Sequence, residues 1–213
     1  MNRDMVARAG LKLLNEAGLE QLTLRLLANR LNIRAPTVYW HFKSKEELIN
    51  EMATLVLAEG ARQLVPPRDT EDWKLWTRTF GSGLRKTLLA YRDGARLVAG
   101  SRLTNTEYMK TAERIGTRLT GAGFTVRQTV VLLSTIYNYT LSFVMEEQAV
   151  FPRRNERSPQ YDIAARNAKL NPTTFPLLRQ SGAILFDKFN RRYKEGLDLI
   201  LCGAELKRHN SLR

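Results

Sequence analysis

Residues 23–45 read TLRLLANRLNIRAPTVYWHFKSK, and this stretch decides the fold of the N-terminal part of the chain. Apolar residues recur at helical spacing in its first half and give a short helix one apolar face: Leu24, Leu27, Ala28 and Leu31. Thr23 precedes them as a predicted N-cap, since its hydroxyl can accept from an unpaired amide of the first turn. Asn32 follows the last apolar position and can adopt the left-handed conformation that ends a helix. The pattern predicts a short helix followed by a tight turn.

A second short helix is predicted from Pro36, because proline lacks an N–H group and the first turn of a helix does not need one. This helix displays Thr37, Tyr39, Trp40 and His41. Either aromatic alone could belong to a small core, but two adjacent residues of one helix cannot both point inward. The two helices form a predicted helix-turn-helix, whose second helix suits a DNA major groove.

The flanking segments extend this unit into a head with a stalk. Residues 3–17 predict an amphipathic helix that buries Met5, Ala9, Leu11, Leu13 and Leu14. After the helix-turn-helix, Ser44 and Glu47 have the spacing of a capping box, and the following apolar face continues to about Arg62. Pro66-Pro67 marks a boundary. We therefore divide the chain into a DNA-binding domain (1–45), a connecting helix (46–64) and a C-terminal domain (65–213).

The remaining sequence predicts an all-α body, because no convincing strand pattern occurs in it. Helices are expected over 70–90, 104–119, 125–151 and 181–206, with shorter ones near 161–169 and 177–183. The segment 125–151 is largely apolar all round, so it either crosses the centre of the body or forms an interface. Residues 152–175 are rich in proline and charge and predict a loop. Its RRNER sequence at 153–157 is either a solvated segment or a contact to DNA or an anionic ligand.

Composition limits the classes of protein that remain. The chain has 34 Lys/Arg against 21 Asp/Glu, a net charge of +13 that favours polyanion partners. Residues 1–65 hold only nine Lys/Arg and seven Asp/Glu, so the head is not the main source of this charge. The chain has one cysteine, no apolar run of the roughly 20 residues that span a bilayer, and no signal-peptide core, so we expect a cytoplasmic protein.

Head and body together closely resemble the tetracycline-repressor (TetR) family of dimeric bacterial transcription regulators. APTVYWHFKSKEEL at 35–48 is similar to that family's recognition helix and the start of its connecting helix. Similar segments continue through the body: YRDGAR at 91–96, SRLT at 101–104, MEEQ at 145–148, PLLRQ at 176–180 and LILCG at 199–203. The resemblance implies that 65–213 is a ligand-binding and dimerisation domain, with a homodimer formed through helices 125–151 and 181–206. Cys202 would then lie in or near the dimer bundle, either as a small buried apolar residue, the interpretation we favour, or as a redox switch.

The resemblance also assigns the DNA contacts. It places Thr37, Tyr39, Trp40 and His41 in the groove, with Pro36 on a thymine methyl. Arg25 would reach a base or phosphate, and Lys45 a phosphate. Ala35 departs from the family pattern, in which an amide reads a base. We therefore expect an operator that differs at that step.

In the body, the resemblance implies an effector pocket whose chemistry has changed. The positions implied for the ligand are Phe80, Leu84, Val98, Arg102, Arg114, Asn138 and Glu146. Val98 replaces the family's metal-binding histidine, Ala61 and Asn138 replace histidines, Phe80 replaces an amide, and Arg114 replaces a glutamine. Glu146 alone would bind a metal weakly, so no metal or other cofactor is expected, and the effector should be an aromatic or amphipathic molecule. Alternatively, Arg102 and Glu146 pair with each other or with nearby charges.

The leading interpretation is a ligand-responsive repressor that a small molecule releases from a palindromic operator. A family member could instead activate, or require its ligand for DNA binding. The alternatives from other classes are a helical small-molecule binding protein without DNA function and an enzyme. No nucleophile–base pattern, metal-ligand spacing or glycine-rich phosphate loop supports an enzyme, and His41 and His209 are the only histidines.

Overall fold

The computed structural model describes residues 2–64, 72–153 and 156–210, and these ranges contain eleven α-helices and no β-strand. In chain order the helices are α1 (Arg3–Ala17), α2 (Leu24–Arg30), α3 (Ala35–His41), α4 (Lys45–Gln63), α5 (Trp73–Leu89), α6 (Gly94–Val98), α7 (Glu107–Gly121), α8 (Val126–Val150), α9 (Ile163–Ala168), α10 (Pro176–Phe186) and α11 (Phe189–Asn210). The all-α prediction is confirmed. Pro66-Pro67, the predicted boundary, lies outside the described residues.

The predicted helix-turn-helix is present, with the expected local signals. Thr23 Oγ1 accepts from the Leu26 amide at 3.1 Å, as an N-cap should. Asn32 has φ 53°, the left-handed conformation predicted for the end of the first helix. Val38 and Phe42 are fully buried and attach α3 to the core of the head. The sequence therefore specified both helices and the turn between them.

Two local predictions in the head were wrong. Met5 is 57% exposed, and the buried side of α1 consists instead of Val6, Ala7, Gly10, Leu11, Leu13 and Leu14. Because α1 has many apolar residues, more than one of its faces could be the buried one. Packing against α4 determines which face is buried. The capping box at α4 is also modified. Ser44 Oγ accepts from the Glu47 amide at 3.1 Å, but the Glu47 carboxylate accepts from the amide of Lys43 rather than that of Ser44.

In the body the helix boundaries differ at two places. α7 begins at Glu107 instead of Thr104, because the amide and hydroxyl of Thr104 both bond to Thr54 Oγ1 on α4. The single helix predicted over 181–206 is two helices, α10 and α11. Arg157 donates to the carbonyl of Phe186 at 3.0 Å and pairs with Asp187, so it holds the point where α10 ends. The segment 152–175 contains α9 as well as loop.

Two hydrophobic clusters meet along α5 and α8, since these two helices contribute buried residues to both. The first includes α1–α4 and continues into the body through Leu84, Leu88, Leu97 and Val144. The second joins α5, α7, α8 and α11 and is rich in aromatic rings. The predicted division at residues 45 and 64 stays a prediction, and the core itself passes from head to body through α4. Within the described ranges, no helix combines the length and hydropathy needed to cross a bilayer.

Candidate functional site

The recognition helix α3 presents its polar and aromatic side chains to solvent. Tyr39 is 47% exposed and Trp40 is 75% exposed, while Val38 between Thr37 and Tyr39 is fully buried. Pro36 and Thr37 are also exposed. The predicted groove-facing set therefore lies on one accessible face, and neither aromatic contributes to the core of the head.

The C-terminal end of α3 is held by α1. Arg3 donates to the carbonyl of His41 at 2.6 Å, and its guanidinium lies 4.3 Å from the centre of the Phe42 ring. The His41 ring is partly buried and meets the Trp40 ring edge-on at 4.8 Å. Ala35, at the start of α3, is partly buried against the core. These contacts orient the exposed face while leaving Trp40 free to reach outward.

Basic side chains surround this face. Arg25 is exposed on α2 and makes no ion pair with another described residue. Lys45 Nζ instead donates to the carbonyls of Leu19 at 2.9 Å and Glu20 at 3.4 Å, which ties α4 to the α1–α2 link. Arg34 and Lys43 flank α3 and are exposed, yet the sequence reasoning did not select them. Their position immediately before and after the recognition helix could have indicated a phosphate contact.

In the body, α4, α5, α7 and α8 enclose a cavity of about 70 Å³. Its lining is Leu57, Gly60, Ala61, Leu64, Phe80, Gly83, Leu84, Thr87, Tyr108, Thr111, Ala112 and Tyr137. α4 and α5 each contribute positions i, i+3, i+4 and i+7, so the cavity lies between two matched helix faces.

The α4–α5 contact beside the cavity is close and reciprocal. A Cβ atom at Gly60 of α4 would overlap the side chain of Thr87 on α5. A Cβ atom at Gly83 of α5 would overlap the side chain of Leu64 on α4. Each glycine therefore receives a side chain from the opposite helix, and the two helices cannot move closer together there.

The cavity wall is apolar except for a few hydroxyl groups. The Thr87 hydroxyl is occupied, since it donates to the Gly83 carbonyl at 2.9 Å. Tyr108 and Thr111 of α7 and Tyr137 of α8 supply the others. Burial, and secondarily the nearby Tyr108, raise the pKa of Tyr137, so the Tyr137 phenol is neutral at neutral pH. None of the described residues that line the cavity carries a charged side chain.

The structure brings only part of the predicted ligand-binding set to this cavity. Phe80 and Leu84 line it, together with Ala61. Val98 is buried in the first hydrophobic cluster. Arg102, Arg114 and Asn138 are exposed, and the Arg102 amide donates to Asn50 Oδ1 at 2.9 Å. Glu146 pairs with Arg192 at 2.8 Å. Position along the sequence could not show that these five residues are absent from the described lining of this cavity.

Most of the residues that form the cavity were missed, including Tyr108 and Tyr137. The sequence contains a signal that points to this cavity. Gly60-Ala61 in α4 and Gly83-Leu84 in α5 each place a glycine on the helix face that lines it. Over the described ranges, no group of three or more His, Cys, Asp or Glu side chains could hold a metal ion.

Comparison with known proteins identifies the family. A model of "Tetracyclin repressor-like, C-terminal domain" matches residues 65–208, and one of "Bacterial regulatory proteins, tetR family" matches residues 7–52. The chain belongs to the TetR family. The tetracycline repressor class A from transposon 1721 of Escherichia coli is 37% identical over 95% of this chain and 90% of its own length.

Two solved structures extend the similarity to three dimensions. A possible TetR family regulator from Streptomyces coelicolor A3(2) has a TM-score of 0.84 at 30% identity and covers 96% of this chain and 99% of its own. A TetR variant from Acinetobacter baumannii AYE in complex with minocycline has a TM-score of 0.74 at 30% identity, with 98% of each chain covered. This TetR family member is a ligand-responsive transcriptional repressor that binds operator DNA as a dimer.

Two exposed stripes on the body fit that dimer. On α8, exposed positions alternate by four and three residues: Val131, Thr135, Asn138, Ser142, Met145 and Ala149. On α11, Leu199 is 76% exposed and Leu206 is 68% exposed, with Cys202 on the same face. This spacing is typical of helices that meet in a bundle. Cys202 was predicted to be buried and is exposed in the single chain, at a position that such a bundle would cover.

Proposed function

We propose that a small molecule entering the cavity between α4, α5, α7 and α8 releases the dimer from a palindromic operator. The observation that carries this proposal is the course of α4. Its N-terminal half packs on the head, where Leu48 and Met52 approach Gly10 of α1. Its C-terminal half lines the cavity with Leu57, Gly60 and Ala61. A ligand that displaces one half of a rigid helix also displaces the other half, and with it the recognition helix.

A second set of contacts links the body to the head. The Asp93 carboxylate accepts from the Leu19 amide at 2.9 Å, and the Arg92 amide donates to Asn15 Oδ1 at 2.9 Å. Arg96 pairs with Glu20 at 3.1 Å. These bonds attach the turn between α5 and α6 to the end of α1. The head is thus attached to the body through α4 and through the turn between α5 and α6. Separation of α4 from α5 would strain both attachments.

On the DNA side, we propose that Tyr39 and Trp40 contact base edges or sugar, with Thr37 and Pro36 beside them. Arg25, Arg34 and Lys43 supply phosphate contacts, while Lys45 acts mainly by fixing α4 to the α1–α2 link. Two copies of this face would read the two half-sites of a palindrome. The partner subunit is proposed to cover the exposed stripes of α8 and α11.

The minocycline complex of the Acinetobacter baumannii relative supports a drug-sized effector in the body of this chain. We propose no resident cofactor and no catalytic activity. In this chain Val98 carries no metal donor and Glu146 is engaged by Arg192, so a drug held through a divalent metal does not fit these positions.

The function is tested in two steps. The operator is first selected from random duplex DNA with the purified dimer, and a palindromic site is expected. Compounds that raise the melting temperature of the free protein are then added to the protein–operator complex, and release is followed by fluorescence anisotropy. Every cavity ligand should release DNA, because ligand and operator favour different spacings of the heads. Ligands that instead tighten operator binding would contradict the repressor mechanism and support a co-repressor or activator.

A cavity-filling variant provides the control for that test. Ala112→Leu on α7 should keep operator affinity within about twofold but lose the response to ligand, because the added side chain occupies the space. Ala90→Leu adds the same atoms at an exposed position outside the cavity and should respond normally. An equal response from both variants would show that the ligand acts elsewhere.

A further inference from the structure

The electrostatics of the cavity restrict what can bind there. Its described lining includes Leu57, Leu64, Phe80 and Leu84, and none of the twelve described lining residues carries a charge. A carboxylate or ammonium entering this space would lose its hydration without gaining an ionic partner. The wall therefore selects against charged molecules, including those that the predicted contacts of Arg102 and Arg114 would have favoured.

The hydroxyl groups of the cavity restrict the ligand further. Tyr108, Thr111 and Tyr137 make no side-chain hydrogen bond with any other residue that the structure describes, whereas Thr87 is already bonded to Gly83. A ligand oxygen near Tyr108 and Tyr137 would give these phenols a partner inside an apolar surrounding, where a hydrogen bond is strong. The lining can therefore accommodate one polar group of the ligand, placed beside Tyr108 and Tyr137.

We propose that the effector is a neutral, flat aromatic molecule that carries a hydroxyl or carbonyl oxygen and binds without a metal ion. The oxygen bonds to the hydroxyl groups of Tyr108 and Tyr137, and the rings lie against Phe80 and Leu84. This inference rests on the proposed function, because it concerns the ligand of the same cavity. The donor chemistry does not favour metal-assisted binding, since the lining residues that the structure describes include neither an imidazole nor a carboxylate.

The size of the cavity gives the binding its mechanical effect. The cavity is partly open to solvent, and the space within it is about 70 Å³, less than half of the about 150 Å³ that accommodates benzene in an apolar cavity. An aromatic ligand of two or more rings exceeds this space and therefore presses on the surrounding helices. α4 and α5 already touch at Gly60 and Gly83, so the ligand acts as a wedge between α4 and the pair α5 and α7.

Three probes with the same ring system test the chemical class. 2-Naphthol is neutral at neutral pH, 2-naphthoate is an anion, and naphthalene has no polar group. We expect calorimetric titration of the dimer to show 2-naphthol binding at least tenfold more tightly than 2-naphthoate, with no change on adding EDTA. Comparable or tighter binding of 2-naphthoate would overturn the proposal. So would the absence of 2-naphthol binding up to its solubility, or tight binding of minocycline only in the presence of magnesium.

Conservative variants test the hydrogen bonds. Tyr137→Phe and Tyr108→Phe should each weaken 2-naphthol binding by about 3- to 10-fold and leave naphthalene binding unchanged, since only the hydroxyl is removed. Tyr161→Phe changes a tyrosine outside the cavity and should bind all three probes as the unmodified protein does. Equal loss of 2-naphthol and naphthalene would assign the effect to packing and overturn the proposed hydrogen bonds.

The operator assay separates this inference from the proposed function. If 2-naphthol binds, is excluded by Ala112→Leu and yet leaves operator affinity unchanged, the ligand class holds and the release mechanism fails. If a charged or metal-bound compound releases the operator and 2-naphthol does not bind, the release mechanism holds and the ligand class fails.

Discussion

The head and the body carry their functional side chains in opposite ways. In the head, Tyr39 and Trp40 project outward from one helix of seven residues, in which only Val38 is buried. In the body, the cavity is assembled from faces of α4, α5, α7 and α8, and its aromatic residues are partly buried. A surface for DNA follows from the phase of a single helix. A cavity depends on how helices cross, which no single helix specifies.

The two regions should consequently differ in how function and stability are coupled. Exposed side chains of α3 can change without affecting packing, whereas the residues around the cavity both bind and hold the body together. Substitutions in the head should therefore separate operator affinity from stability. Substitutions near the cavity should alter stability together with the response to ligand.

The largest expected effect is at Tyr39. Tyr39→Ala should weaken operator binding by about 2–6 kcal/mol, counting about 1–3 kcal/mol for each half-site contact in the dimer. Anisotropy titrations with the selected operator measure this loss. The free energy of unfolding should change by no more than about 0.5 kcal/mol, because the side chain is exposed. Phe175→Ala, another exposed aromatic at 41% exposure, should leave operator binding unchanged. Operator binding like that of the unmodified protein would remove Tyr39 from the groove contacts.

The next effect concerns the stability of the body. Arg85 and Glu147 join α5 to α8 through a two-bond ion pair, and their side chains are only 13% and 14% exposed. Arg85→Ala should lower the free energy of unfolding by about 3 kcal/mol, because it leaves the Glu147 carboxylate unpaired. Chemical denaturation provides the measurement.

Arg191→Ala is the matched control for Arg85→Ala, since the ion pair of Arg191 with Glu195 is 80% and 58% exposed. It should cost at most about 0.5 kcal/mol. A similar cost for the two arginine variants would mean that burial does not set the strength of these pairs.

A smaller effect is expected at the α4–α5 contact, where the two regions are coupled. Gly60→Ala should push α4 away from Thr87, cost about 1–3 kcal/mol of stability through overpacking, and weaken operator binding without any ligand. Gly121→Ala in α7 has open space around the new methyl group, so it should lower neither stability nor operator affinity. Normal operator affinity in a destabilised Gly60→Ala protein would break the proposed link between the cavity and the head.

The smallest effect at neutral pH is expected at Tyr193. Its hydroxyl bonds to Thr140 Oγ1 at 2.8 Å, so Tyr193→Phe should cost about 1 kcal/mol. Burial raises the pKa of Tyr193 to about 12. Between pH 10 and 12 the unfolded chain loses this proton while the folded protein keeps it, so stability falls as pH rises, by up to about 1.4 kcal/mol per unit.

The Tyr193→Phe variant should lose this contribution to the alkaline slope, which denaturation curves across the pH range would show. An unchanged slope in the Tyr193→Phe protein would mean that the phenol does not titrate within that window.

Some features followed from the sequence alone because they depend on neighbouring residues. Thr23, Asn32 and Ser44 act on their own turns, so caps and helix ends were predictable. The outward position of Tyr39 and Trp40 followed from helix phase once Val38 was in the core. The split between α10 and α11 was not predictable in this way, because Arg157 reaches it from a separate loop.

The sequence by itself determined the helix-turn-helix, the all-α class and the resemblance to TetR regulators, since these rest on local spacing. Only the tertiary structure decided which side chains reach the cavity. Arg102, Arg114, Asn138 and Glu146 stand where the family resemblance implies polar ligand contacts, yet three of them are exposed and Glu146 pairs with Arg192. Helix crossing sets which face is enclosed, and it brought Tyr108 and Tyr137 together with Phe80 in a space without charge.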